Sequence, residues 1–256
     1  MTFPSGMDIA RGLVPGCRSF FRFGRKTAIG ATYTPVSRSG HYRTPQAGSA
    51  TTLRLKAGGN ANDTASGSGA RQITLVGLDA TGDVITETLA TAGASASAAT
   101  TKSFMRLTEA YVSKSGTYAS QSAGSQAGNI TIENGSGGTD WALIADGTLG
   151  KGQAEIGSYT TPLNRSAAVS NITISSDSDK KTNLVMFRRD NILETAAPYS
   201  PMTMIMEFPQ NAGINEIILD PPLFFPQLTD FGFLAAVASS TVDVSVSMNI
   251  TEFIPR

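Results

Sequence analysis

Gln72-Ile73-Thr74-Leu75-Val76-Gly77-Leu78 is followed by Asp79-Ala80-Thr81-Gly82-Asp83 and then by Val84-Ile85-Thr86-Glu87-Thr88-Leu89. In both outer runs polar and apolar residues alternate, the period of a strand with one wet and one buried face. The five residues between them hold the Asp and Gly that tight turns favour. This spacing predicts a β-hairpin, and the rest of the chain repeats the pattern.

Short β-rich runs bounded by Gly, Asn, Asp and Pro recur at residues 51–56, 71–76, 83–91, 103–114, 129–133, 140–145, 153–159, 167–175, 182–189, 202–208, 214–219, 230–237 and 241–253. No window carries a sustained i, i+3, i+4, i+7 apolar face with caps, so helices are not expected. Val242-Asp243-Val244-Ser245-Val246-Ser247-Met248-Asn249-Ile250 keeps period two throughout, with one face for a core. By contrast the run ending Ile217-Ile218-Leu219-Asp220-Pro221-Pro222 lacks donors at its prolines and cannot be central ladder. Many short strands at this spacing predict an all-β fold: two antiparallel β-sandwich, jelly-roll-like domains preceded by an extended N-terminal arm. Residues 134–139, Asn-Gly-Ser-Gly-Gly-Thr, hold nothing that packs, read as a linker or a long hairpin loop, and are placed as the boundary. The expected division is therefore an arm at 1–50, a sandwich at 51–134 and a second at 139–256. Residues 92–101 and 116–128, rich in small side chains, read as exposed loops.

Composition narrows the function classes. The chain has 256 residues with 20 basic and 20 acidic side chains, one Cys and one His. Gly, Ala, Ser and Thr together make 113 of the 256, which suits tight turns and closely apposed strands. A lone Cys17 forms no internal disulfide, and Cys17 with His41 falls short of a structural zinc set. No cofactor is expected. The N-terminus lacks a basic, apolar leader and no apolar run approaches the roughly 18 residues of a membrane span, so a soluble chain without membrane contact is expected.

The zero net charge hides an asymmetry. Residues 1–50 hold Arg11, Arg18, Arg22, Arg25, Lys26, Arg38 and Arg43 against Asp8 alone, a net +6, so the remainder sums to −6. These charges alternate with Phe20, Phe21 and Phe23, the aromatic anchors that bury in protein grooves. Docking of such an arm on a partner protein is expected ahead of nucleic-acid binding, through Arg11, Arg18, Phe20, Phe21, Arg22, Phe23 and Arg25. The alternative is an arm folded back on its own acidic body.

Catalytic patterns are scarce. No Ser has Gly at both two-residue offsets, as a nucleophile elbow requires. His41 is the only base for a triad and sits in a polar loop. Gly150-Lys151-Gly152 lacks the Ser or Thr that follows a P-loop Lys. Glu87, Glu109, Asp140 and Glu155 are candidates for a glycosidase carboxylate pair, each near a strand end where a solvated acid is ordinary. Asp177 and Asp179 lack the Gly and distal Glu of a calcium loop and read as a polar turn. No catalytic or metal residue is assigned.

Residues 62–82, Asn-Asp-Thr-Ala-Ser-Gly-Ser-Gly-Ala-Arg running through Gly77-Leu78-Asp79 to Gly82, resemble a segment of an uncharacterised family of tailed-bacteriophage virion structural proteins. Asp8-Ile9-Ala10-Arg11-Gly12 with Phe23-Gly24-Arg25, Thr86-Glu87-Thr88 with Ser103-Phe104-Met105-Arg106, Gly150-Lys151-Gly152-Gln153 leading to Tyr159-Thr160-Thr161-Pro162, and Phe225-Pro226-Gln227-Leu228-Thr229-Asp230 are similar to further parts of it. The resemblance implies a non-enzymatic component of a phage particle, made in the host cytoplasm and located in the virion, whose partners are other virion proteins. Without heptads or repeats a long fibre is disfavoured. The leading expectation is a capsid decoration or cement protein, homo-oligomeric with trimers favoured, docking on the head lattice through the arm. The alternative is a tail or neck appendage that contacts the host surface, where a glycan is a further partner. A glycan-cleaving tail enzyme ranks below both.

Overall fold

A computed structural model describes residues 6–38, 49–117, 120, 124–146, 152–177, 180–238 and 240–255. Among them are one short helix, α1 (Gly6–Ala10), and the strands β1 (Cys17–Ile29), β2 (Thr34–Pro35), β3 (Leu53–Leu55), β4 (Ala70–Leu78), β5 (Val84–Ala90), β6 (Arg106–Ser115), β7 (Ile130–Asn134), β8 (Asp140–Ile144), β9 (Ser158–Thr160), β10 (Ser166–Ser176), β11 (Thr182–Arg189), β12 (Thr203–Asn211), β13 (Ile214–Phe225), β14 (Asp230–Val237) and β15 (Val242–Phe253). The pairings are antiparallel, and the all-β expectation holds.

The chain divides into two compact units, one made of residues 1–36 and 157–256 and the other of residues 37–156. In the first, a sheet ordered β1-β15-β10-β13 and another ordered β12-β11-β14-β2, with β9 also on β14, share one core. β15 shows why: along Val242, Val244, Val246, Met248 and Ile250 every second residue is buried, as its period-two sequence predicts. Phe225 of β13 stacks on Phe231 of β14 at 3.9 Å, and Phe233 is buried beside them. Each such buried ring contributes roughly 1.5–3 kcal/mol. β13 is an edge strand whose register to β10 breaks between Val169 and Asn171, opposite the stretch with Pro221 and Pro222, as the missing donors require.

In the second unit, β3-β7-β8 and β5-β4-β6 face each other across Leu53, Leu55, Ile73, Leu75, Leu89, Phe104, Ile132, Trp141 and Ile144. The predicted hairpin is β4–β5, with Leu78 opposite Val84. Its turn is closed by Asp79, whose Oδ1 accepts from Thr81 N at 2.9 Å, Thr81 Oγ1 at 2.7 Å and Asp83 N at 3.0 Å, while Gly82 takes the left-handed φ of 88°.

The structure differs from the sequence reading in three places. Residues 17–29, placed in an extended arm, instead form β1, which pairs with β15 from Cys17↔Phe253 to Ile29↔Val242. Arg18 and Arg25 are met by Glu252 and Asp243, more than two hundred positions along the chain, which no local pattern announces. Residues 134–139 are the β7–β8 hairpin loop, closed by Asn134 N donating to Thr139 O at 3.0 Å, and the division instead falls at 36/37 and 156/157. Residues 92–101 are not simply an exposed loop. Thr100 N donates to Leu53 O and Ser97 N to Leu55 O, while the Thr100 and Ser97 hydroxyls accept from Leu53 N and Leu55 N. Small hydroxyl residues here complete the edge of β3 where a regular strand would be expected.

One close approach organises the first unit. A Cβ on Gly24 would lie 2.2 Å from Gly157 Cα and 2.3 Å from Val36 O, and one on Gly157 would lie 2.2 Å from Val36 O. Only glycine lets β1, the departing segment and the returning segment meet there.

Candidate docking face

β1 presents two faces. Arg18, Phe20, Arg22 and Gly24 turn toward the core, and Ser19, Phe21, Phe23 and Arg25 turn outward, following the alternation of their β15 partners. The inward set surrounds Glu252, a carboxylate only 1% exposed. Arg18 donates to it through Nε at 3.1 Å and through a second guanidinium nitrogen at 3.2 Å, a fork on two oxygens. Tyr159 Oη donates to the same carboxylate at 2.5 Å, and Arg165 approaches it at 3.5 Å. The Arg18 and Arg22 guanidinia lie 5.0 and 4.8 Å from the Phe20 ring centre, and Arg22 lies 5.1 Å from that of Tyr159. Phe20 meets Tyr159 edge-on at 5.3 Å. These are cation–π and T-shaped geometries.

The electrostatics follow. Burial, reinforced by the adjacent Glu252 charge, pushes the Tyr159 hydroxyl well above its ordinary value, so it stays a donor. Burial pulls Arg18 down, but its hydrogen bonds to Glu252 and the nearby charges outweigh this and leave it raised. Three of the seven predicted docking residues therefore serve internal order. Arg18, Phe20 and Arg22 belong to this cluster, and Arg11 follows α1 in an exposed turn. Phe21 and Phe23 are 68% and 39% exposed, and Arg25 beside them meets Asp243 at 3.0 Å. Sequence reading missed Tyr159, Arg165, Asp243 and Glu252. One signal was available for Glu252: it occupies an inward position at the end of the apolar alternation of β15.

Strand register defines the outer face of this sheet row by row. Ser19, Thr251, Ala168 and Phe224 form one row, and Phe21, Asn249, Asn171 and Ile218 the next. Phe23, Ser247, Thr173 and Glu216 follow, then Arg25, Ser245, Ser175 and Ile214. The two central strands carry small polar residues. Aromatic, aliphatic and charged side chains stand on the two edge strands.

In the second unit a different carboxylate is buried. Asp63, 3% exposed, accepts from the backbone amides of Ala70 at 2.7 Å and Ala127 at 2.9 Å through Oδ1 and of Gly128 at 3.0 Å through Oδ2. It ties the start of β4 to the segment before β7. The cleft beside it, lined by Leu55, Lys56, Thr91 and Asn129 among others, has about 20 Å³ of free volume, room for one water.

The four carboxylates weighed for glycan chemistry have other partners or directions. Glu87 holds the Thr101 and Lys102 amides at 2.7 and 2.9 Å. It opposes buried Leu75, whereas Glu109 opposes Val76 and points to the other side of the same sheet. Asp140 meets Lys56 at 2.8 Å and buried Glu155 meets Arg38 at 3.6 Å. Among the described residues no group of three or more His, Cys, Asp or Glu side chains gathers as metal ligands. His41, Gly150, Lys151 and Asp179 lie outside the described residues. No helix among the described residues is long and apolar enough to cross a membrane.

No family model matches the chain, and no curated protein matches it. Among solved structures it is similar to an isomalto-dextranase of Arthrobacter globiformis T6 complexed with panose, at 10% identity and a TM-score of 0.21, over 94% of this chain. The chain spans 35% of the length of that enzyme. It is also similar to a chain of infectious bursal disease virus Gt strain, at 8% identity and a TM-score of 0.22, over 93% of this chain and 78% of the viral one. A third is the VP2 subviral particle of the same virus, at 8% identity and a TM-score of 0.19, over 93% of this chain and 76% of that one. Chains of virus particles thus stand among the similar structures, at TM-scores too low to bear on function.

Proposed function

We propose that this chain is a non-enzymatic structural protein of a tailed-bacteriophage particle, a capsid decoration or cement protein that docks on the head lattice through the outer side of β1. The observation that carries this reading is the pair Phe21 and Phe23, exposed beside Arg25 on an edge strand. Sheet edges of a solitary protein are ordinarily guarded by charge or covered, and large aromatic side chains there fit a protein partner. The resemblance of residues 62–82 and the other motifs to phage virion proteins supports the same reading. So does the use of the strongest polar groups, Glu252 and Asp63, to brace the two units.

Quantitative labelling of purified particles tests it. Hundreds of copies per particle fit decoration, a few dozen or fewer fit the tail or neck reading, and none overturns both. Removing residues 1–50 is not a clean test of docking, because it also removes β1 from its sheet. Phe21→Ser with Phe23→Ser leaves the inward cluster intact and is expected to weaken particle binding at least tenfold. Wild-type binding by this variant would move the docking surface elsewhere.

A further inference from the structure

We infer that the two edges of the β1-β15-β10-β13 sheet are complementary, and that the β1 edge of one copy docks head to tail on the β13 edge of a second copy. This deepens the structural role proposed above by naming a partner, another copy of this chain, and the surface that takes it.

Three observations converge. The first is charge. β1 carries Arg18, Arg22, Arg25 and Lys26 and no acid, with Arg25 on its outer face, whereas β13 at the opposite edge carries Glu216 and Asp220 and no base. The two edges of one sheet thus have opposite sign, the condition for steered and register-specific association. The second is exposed apolar surface on both edges. Phe21 and Phe23 on β1 have counterparts in Ile214 at 77%, Ile218 at 77% and Phe224 at 54% exposure on β13, with the rows between them small and polar. Large apolar side chains exposed on both edge strands fit a contact with another chain.

The third is strand direction. Across β1, β15, β10 and β13 each neighbour is antiparallel to the last, so β1 and β13 run in opposite directions. A second copy added edge on edge in the same orientation brings its β1 antiparallel to β13, and the alternation continues without a break. The register that sets Arg25 opposite Glu216 also sets Phe23 opposite Ile218 on the same outer face. Cross-strand pairs of this kind stabilise antiparallel ladders. Among the described residues neither outer edge is paired with another strand. Because the two surfaces differ, the contact is heterologous and leads to a ring where the rotation closes and to a filament where it does not.

Sedimentation velocity of the full chain over a range of concentrations tests this. Wild type is expected to assemble beyond a dimer, more weakly as salt rises. Glu216→Arg and Arg25→Glu are each expected to raise the dissociation constant at least tenfold, and the double variant to recover most of the loss by restoring opposite charges across the contact. Circular dichroism and thermal unfolding establish that each variant is folded, since Arg25→Glu also removes the Asp243 bridge. A further variant, Ile218→Asp, changes an exposed position of β13 and is expected to leave a folded monomer. A wild-type chain that stays monomeric, a dimer that grows no further, single variants that assemble like wild type, or a double variant that does not recover would each overturn the inference. A monomer still present on purified particles overturns this contact alone, whereas a self-assembling chain absent from particles overturns the virion role alone.

Discussion

Glu252 and Asp63 are both buried carboxylates, one in each unit, and they are held in opposite ways. Side chains hold Glu252: Arg18, Tyr159 and Arg165 reach it from β1, β9 and the segment before β10 respectively. Main chain holds Asp63, through the amides of Ala70, Ala127 and Gly128. A charge met by arginines is offset by groups that can swing out to water when it is removed. A charge met by amides is fixed to backbone that cannot, so the same burial has different consequences. The first arrangement ties the paired β1 and β15 to β9 of the other sheet, and the second defines where irregular segments run.

The largest effect is therefore expected at Asp63. Asp63→Ala leaves three amides without an acceptor, at roughly 1–3 kcal/mol per buried group, and about 3–5 kcal/mol in all is expected to be lost from the second unit. Chemical denaturation with a probe on Trp141 measures it. Asp63→Asn keeps Oδ1 for Ala70 and Ala127 but turns an NH2 or a weakened contact toward Gly128, so it is expected to cost about half as much. Equal losses for the two variants would mean that charge rather than acceptor number matters there.

Glu252→Gln comes next, at about 2 kcal/mol for the first unit, because Arg18 is half exposed and rehydrates while the buried Tyr159 hydroxyl retains one acceptor. If it destabilises more than Asp63→Ala, the contrast between the two carboxylates fails. Alkaline titration sharpens the contrast from another side. The Tyr159 hydroxyl is raised in the folded state, so its contribution is complete below its unfolded value of about 10 and is lost as pH rises above it. Thermal melts above pH 10 are expected to fall more steeply for wild type than for Tyr159→Phe. The smallest effect belongs to Asp79. Burial raises its pKa, but hydrogen bonds from Thr81, Asp83 and Gly82 outweigh this and lower it. Its contribution is present above the unfolded value of about 3.9 and disappears as pH falls below it. Melts of Asp79→Asn and wild type are expected to converge toward pH 3.

How far these features were legible depends on how local their causes are. The β4–β5 hairpin and β15 follow from alternation within a dozen residues, and both stand in the structure as the sequence predicts. The role of β1 does not, because the acids that neutralise Arg18 and Arg25 lie more than two hundred positions away. Phe21 and Phe23 were singled out for their chemistry, yet only the register with β15 shows that they, and not Phe20, face outward. The segment at 92–101 looked like a loop since Ser and Thr carry no strand period. Their hydroxyls nonetheless do the work of ladder groups on β3.

The meeting of Gly24, Val36 and Gly157 has a consequence for the order of events during synthesis. Residues 37–156 form their own core, with Ser37 bridged to Ile156, and all of them are made before β15. β1 emerges before them but must wait for β15, 234 positions later at the Arg18–Glu252 contact, before its sheet exists. The inserted unit is thus expected to become protease-resistant on stalled chains while β1 is still unpaired. β1 is made before the inserted unit and paired only after it, and Gly24 and Gly157 let its sheet close against Val36.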